Sequence, residues 1–217
     1  MATVLEMPTQ SGQKVVLSGV SWDDYERLLA EHQDSATTRF AYDRGTLEIM
    51  ILSLRHERLK HGLATLVEFI AEELQIDVEG AGSTTFRRED LARGFEPDAC
   101  FYFKDAEYIR RKDEIDVTID PPPELVIEID ITSPSLNKFP IFAAIGVAEV
   151  WRYDGSGGQV SIFRLSGGEY VNVAESVALP GVTGALVSRL LAVSQTMKRA
   201  DWLRLVRESV KQPAKDA

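Results

Sequence analysis

Two carboxylates stand where burial makes charge costly. The run Leu125-Val126-Ile127-Glu128-Ile129-Asp130-Ile131 is otherwise aliphatic, the composition of a strand covered on both faces. Side chains two apart on a strand share a face, so Glu128 and Asp130 point the same way. Such a pair needs a cation, a network of donors or solvent at the strand end. Like charges that close raise one pKa unless a divalent metal sits between them. The plainer alternative ends the strand near Ile127 and leaves both acids in water. A third acid, Asp98, follows Pro97 and precedes the strand-like Ala99-Cys100-Phe101-Tyr102-Phe103, so a residue of fixed φ sets the direction of its carboxylate. Hydrolysis of a phosphodiester needs carboxylate oxygens for Mg²⁺, with Mn²⁺ as a substitute. It also needs a cation near the attacking water to offset charge that grows in the transition state. Asp98, Glu128 and Lys138 supply those parts.

Three other groupings lead elsewhere or nowhere. His56-Glu57-Arg58-Leu59-Lys60-His61 resembles a zinc-protease motif, but its histidines are five apart. At ~100° per residue they diverge by roughly 140° around a helix, whereas a spacing of four would bring them together. His56 itself reads either as a group that polarises water or phosphate or as an exposed residue at a helix start. Gly155-Ser156-Gly157-Gly158 lacks a following Lys-Ser/Thr and lies between two strand-like runs, so it is a turn and not a phosphate loop. Cys100 reads as a buried strand cysteine with no mark of a nucleophile.

The elements that must hold these residues are legible in outline. The segment to about Leu17 is polar and aperiodic, a loose arm. Ser21-Trp22-Asp23-Asp24 has the form of a capping box, and Trp22, Tyr25, Leu28 and Leu29 recur at helical spacing. Thr38 to Tyr42 and Thr46 to Ile51 read as strands joined by Asp43-Arg44-Gly45, a hairpin. From Arg55 to Leu74, Leu59, Leu63, Leu66, Val67, Ile70 and Leu74 share one face of a long helix. Strands are expected at Asp77 to Glu79, Thr84 to Arg87 and Ala99 to Phe103. Pro121-Pro122-Pro123 is a rigid spacer that delivers the chain into the apolar run. A helix around Lys138 to Ala144, stopped at Gly146, leads to a strand from Glu149 to Tyr153. Strands at Val160 to Arg164 and Tyr170 to Val173 flank Gly167-Gly168, and Ala185 to Val210 is helical with a break near Ser194 to Thr196. The sum is a mixed α/β chain: an arm over 1–20, a domain over 21–180 and a helical tail over 181–217. The tail stripe of Leu186, Leu190, Leu191, Trp202, Leu205 and Val206 is core, a dimer contact or a docking helix.

Composition narrows the function classes. A chain of 217 residues that is 44% hydrophobic and 27% charged is neither fibrous nor wholly disordered. One cysteine excludes a disulfide scaffold, and no window approaches eighteen apolar residues, so no membrane span is expected. The first residues lack a basic start and apolar core, which makes the cytoplasm the expected compartment. The formal net charge is −10. Proteins that grip nucleic acid through its phosphates usually carry a basic stripe. Here the densest basic runs are Arg87-Arg88 and Tyr108-Ile109-Arg110-Arg111-Lys112, so any nucleic-acid reading rests on catalytic chemistry and local charge.

An ordered set of motifs now resembles a known family. Glu96-Pro97-Asp98-Ala99-Cys100-Phe101-Tyr102, Glu124-Leu125-Val126-Ile127-Glu128-Ile129 with Ser133-Pro134-Ser135, then Lys138 and Gly146-Val147-Ala148-Glu149-Val150-Trp151 are similar to the Uma-two family. So are the hairpin through Met50, His56-Glu57 and Thr84-Thr85-Phe86-Arg87, over about Trp22 to Tyr153. That family belongs to the PD-(D/E)xK nuclease superfamily. The resemblance implies a restriction-endonuclease-like core, a central mixed sheet flanked by helices, with the active site where two strands splay. It implies Asp98 and Glu128 as metal ligands, the Ile129 carbonyl as a third, and Asp130 as either an extra ligand or a salt-bridge partner of Lys138. The superfamily's lysine two residues after the glutamate is replaced here by Asp130, and Lys138 on the following helix takes the role of orienting or activating water. Glu57 matches a further acid in many such nucleases, though an acid favoured by the helix dipole reads the same. The function implied is a Mg²⁺-dependent DNA endonuclease that uses a metal-activated water, with Arg87 and Arg88 as local positive charge and a homodimer to cut two strands. The rivals are a catalytically silent partner-binding protein of the same fold and a hydrolase of small phosphates.

Overall fold

A tight turn organises the amino-terminal half. Arg44 and Gly45 both have positive φ (45° and 93°), the geometry that matches a two-residue hairpin loop to strand twist. It joins β2 (Thr38–Asp43) to β3 (Thr46–Ile51) with Asp43 opposite Thr46. In this computed structural model, which describes residues 13–32, 35, 37–131 and 136–211, β1 (Lys14–Ser18) pairs with the outer side of β3. The loose arm expected to about Leu17 is therefore partly a strand. Residues 1–12, the Ser133-Pro134-Ser135 motif and the chain end after Lys211 lie outside the described residues. β5 (Phe86–Arg88) and β6 (Arg93–Phe95) complete an antiparallel sheet in the order β1-β3-β2-β6-β5. α1 (Trp22–Glu31) starts at Ser21, whose hydroxyl accepts the Asp24 N–H at 3.1 Å. Its buried Tyr25 and Leu29 seal one face of this sheet against Phe40, Tyr42 and Leu47.

The second sheet carries the apolar run. It has the order β11-β10-β9-β8-β7-β4, from β4 (Glu79–Gly82) and β7 (Ala99–Tyr102) through β8 (Leu125–Asp130) and β9 (Glu149–Asp154) to β10 (Gln159–Ser166) and β11 (Glu169–Val173). β8 is antiparallel to β7 and parallel to β9, so the sheet is mixed. A parallel pair needs a crossover. α4 (Phe139–Ile145) provides it and stops at Gly146, whose φ of 96° suits glycine. A four-residue helix, α3 (Ala106–Ile109), lies between β7 and β8.

Alternation along β8 splits the core. Leu125, Ile127 and Ile129 face α2 (Leu54–Glu73), α5 (Gly184–Ser194) and α6 (Arg199–Lys211). Val126 faces Ile141 and Phe142 of α4, with Phe86 and Phe95 of the first sheet in the same cluster. Leu190, Leu191, Trp202 and Val206 are buried against α2 and the sheet, so the tail stripe is core. Burial of that many large aliphatic and aromatic groups, at about 1.5–3 kcal/mol each, fixes β8 as a rigid platform. The strand does not end at Ile127: it runs to Asp130, and Glu128 is only 5% exposed.

Candidate active site

The site forms where the β7–β8 ladder stops. Its last paired residues are Ala99 and Ile127, and one step further along the same register places Asp98 beside Glu128. There the Asp98 side chain replaces the ladder, since its Oδ2 accepts the Ile129 N–H at 2.7 Å. Asp98 is 1% exposed, and its Oδ1 lies 3.2 Å from His56 Nε2. The contact is an ion-pair distance, and beyond it neither Oδ1 nor either ring nitrogen has a hydrogen-bond partner among the described residues. Burial opposes ionisation of Asp98, but the His56 contact, the pull of Lys138 and the Ile129 N–H outweigh it and hold the carboxyl below the usual range.

Glu128 and Asp130 do share a face, yet their surroundings differ. Glu128 Oε2 accepts from Lys138 Nζ at 2.7 Å, while Oε1 is buried without a partner among the described residues. Burial pushes its carboxyl up to about 8, against the pull of Lys138 and with the help of the neighbouring Asp98 charge. Burial alone would strip the Lys138 proton. Glu128, Asp98 and Glu48 hold it on, and its pKa rises. Asp130 is committed to Arg152 at 2.6 Å and Lys14 at 3.4 Å, so its salt bridges are to those two residues and not to Lys138. A cavity of about 360 Å³ opens over Glu128, Asp130 and Lys138.

Sequence reasoning missed Glu48. In the run Thr46-Leu47-Glu48-Ile49-Met50-Ile51 an acid between aliphatic residues reads as the solvent side of an alternating strand. The two sheets close over it instead. Glu48 is 1% exposed, its Oε1 is 4.0 Å from Lys138 Nζ and its Oε2 accepts the Leu136 N–H at 3.1 Å. His56 also differs from the exposed alternative, being 3% exposed, whereas His61 is exposed on another face. The two histidines part as their spacing requires. Glu57 lies 4.0 Å from the His56 ring and 3.7 Å from Lys60 Nζ. Cys100 is fully buried, and burial pushes its thiol up, as befits an inert core residue.

The fold is thus a mixed α/β chain with two acids and a lysine gathered where the ladder of a central strand pair ends. The family model Uma2, described as "Putative restriction endonuclease", matches residues 22–193. The chain belongs to that family, as the ordered motifs implied. A solved structure described as "a putative nuclease belonging to DUF820" from Anabaena variabilis is similar at 16% identity, covering 79% of this chain and 99% of that one, with a TM-score of 0.49. The search of curated proteins found no match. No helix among the described residues is long and apolar enough to cross a membrane.

Proposed function

We propose that the chain is a metal-dependent endonuclease that hydrolyses phosphodiester bonds of DNA. One observation carries the reading. Asp98 Oδ1, with only the His56 ring beside it, and Glu128 Oε1 are buried without a hydrogen-bond partner among the described residues, opposite one another where the β7–β8 ladder ends and next to a lysine that keeps its proton. Buried polar atoms normally find partners, and acids left short of donors are where a cation fits. Among the described residues no group of three or more His, Cys, Asp or Glu is arranged to hold a metal. The proposed donors are therefore Asp98 and Glu128 with the Ile129 carbonyl, an all-oxygen set suited to a cation that retains several waters. Mg²⁺ or Mn²⁺ bound there supplies Lewis acidity toward the phosphate and acidifies water.

The chain's own groups do the rest. Lys138 keeps its proton and is no base; it donates to an attacking water or a phosphate oxygen and offsets developing charge. Ile129 N–H aims Asp98, and the His56 ring limits where its free oxygen can turn. Glu57 assists at most through His56. Asp130, already paired twice, is better suited to anchoring the end of β8 than to binding metal. A homodimer would bring two such sites to the two strands of a duplex.

Nicking of supercoiled plasmid at low salt tests the proposal. Cleavage with Mg²⁺ or Mn²⁺, none with EDTA and none by Asp98→Ala or Glu128→Ala is the expected outcome. Cleavage that persists in both acid variants, or none by the wild-type chain on duplex or single strands, rejects it in favour of a silent binding protein.

A further inference from the structure

Arg87 and Arg88, the basic pair that the sequence offers for phosphate contact, are occupied. Glu26 lies 3.1 Å from Arg87 and Asp90 lies 2.7 Å from Arg88. Three exposed guanidinium groups are different. Arg55, Arg58 and Arg199 have no carboxylate at ion-pair distance among the described residues, and they line one groove of about 1050 Å³ between the first turns of α2 and the α5–α6 connection. Arg55 and Arg58 are three apart, hence neighbours on the helix surface. Arg199, at the start of α6, lies 3.4 Å from His61 Nε2. Glu57 is the acid of this groove among the described residues, and Lys60 faces it at 3.7 Å.

This placement works against stability. The first turns of a helix carry partial positive charge, which favours anions and disfavours arginine. The guanidinium groups also repel one another, in a chain whose net charge is −10. A bridging anion removes both penalties. Planar guanidinium forks match phosphate oxygens in pairs. Leu54 and Met197, 68% and 39% exposed, add apolar surface that sugar rings can cover. One step along α2 links groove and site, since Glu57 lines the groove and the adjacent His56 touches Asp98.

We infer that this groove binds the sugar–phosphate backbone of a nucleic-acid strand through Arg55, Arg58 and Arg199, and leads it to Asp98 and Glu128. The delivery rests on the nuclease reading of the site; the binding does not. The test uses the full chain, an Arg55→Gln/Arg58→Gln/Arg199→Gln variant and an Arg87→Gln/Arg88→Gln control, with labelled random-sequence duplex in EDTA over a range of salt. The groove variant is expected to lose more than about tenfold in affinity at low salt and to lower the slope of log K against log salt by ~0.9 for each contact removed. It should melt no lower than wild type, since repulsion is relieved. An unchanged slope, an equal loss in the control or no binding by wild type overturns the inference. Turnover of bis(4-nitrophenyl) phosphate, too small to need the groove, separates the two readings. Binding lost in the groove variant without turnover by any chain sustains the groove and removes the nuclease. Turnover that Asp98→Asn abolishes, with binding unchanged in the groove variant, removes the groove alone.

Discussion

The parallel pair β8–β9 carries a buried acid at each end, and the two are treated oppositely. At the amino-terminal end Glu149 is 2% exposed and fully supplied with donors. Its Oε1 accepts from Trp151 Nε1 and Ser176 Oγ, both at 2.6 Å, and its Oε2 from the Val177 N–H at 2.6 Å. Glu124 beside it behaves likewise, since one oxygen gathers the N–H groups of Phe103, Lys104 and Asp105. At the carboxy-terminal end Asp98 and Glu128 each keep a buried oxygen without a donor among the described residues. Burial alone does not mark a functional acid. Under the proposed function, incomplete satisfaction beside a captive lysine does.

The largest expected effect of breaking this contrast is on catalysis. Asp98→Asn and Glu128→Gln should each lower nicking by about 100-fold or more, while shifting the melting temperature far less than changes at Glu149. Glu149→Gln should do the reverse. It sets an amide NH₂ against donors that nothing else satisfies, costing about 1–3 kcal/mol, with nicking per folded molecule unchanged. Denaturant unfolding beside plasmid nicking reads both, and a Glu149 variant that folds normally would break the distinction.

Gly155 bears on the carboxy-terminal end alone, and more weakly. A Cβ there would lie 2.6 Å from Ile131 Cα, and the Gly155 N–H donates to the Asp130 carbonyl at 2.6 Å. Gly155→Ala should cost about 1–3 kcal/mol by overpacking, and it should disturb the end of β8, lowering nicking as well as stability. Equal stability of the variant would show that the strand end yields freely.

The smallest effect is a difference in pH slope. Asp120 is held down to about 2 by Lys112, the Asp116 N–H and Tyr108, from an ordinary value of 3.8. It therefore stabilises the fold above 3.8 and loses that contribution as pH falls toward 2. Glu128 is raised from 4.5 to about 8, so in metal-free protein its contribution is complete below 4.5 and is lost as pH rises through 8. Melting in EDTA should fall between pH 5 and 8, and Glu128→Gln should flatten that fall. Lys112→Met should affect only the acidic limb.

Much of this was legible in residues. An acid inside an aliphatic run, a proline before an aspartate and a glycine-closed crossover helix reveal β8, Asp98 and α4. What stayed hidden depends on tertiary closure. β6 is three residues long, too short to show alternation, and three of the five β1 residues are exposed aliphatics on an edge, without a period. The strand expected at Asp77 forms two residues later at Glu79, where pairing with Tyr102 becomes available. Glu48 looks ordinary in sequence and His56 reads two ways, and only the closing of β3 over Lys138 and of α2 over Asp98 gives them those neighbours.

The most direct test of the central claim is Mn²⁺ titration of the full chain by calorimetry, with Asp98→Asn, Glu128→Gln and Glu149→Gln alongside. One site in wild type, abolished in the first two variants and kept in the third, is the result expected if incompletely satisfied acids are the metal ligands. Equal affinity in all four chains would contradict it.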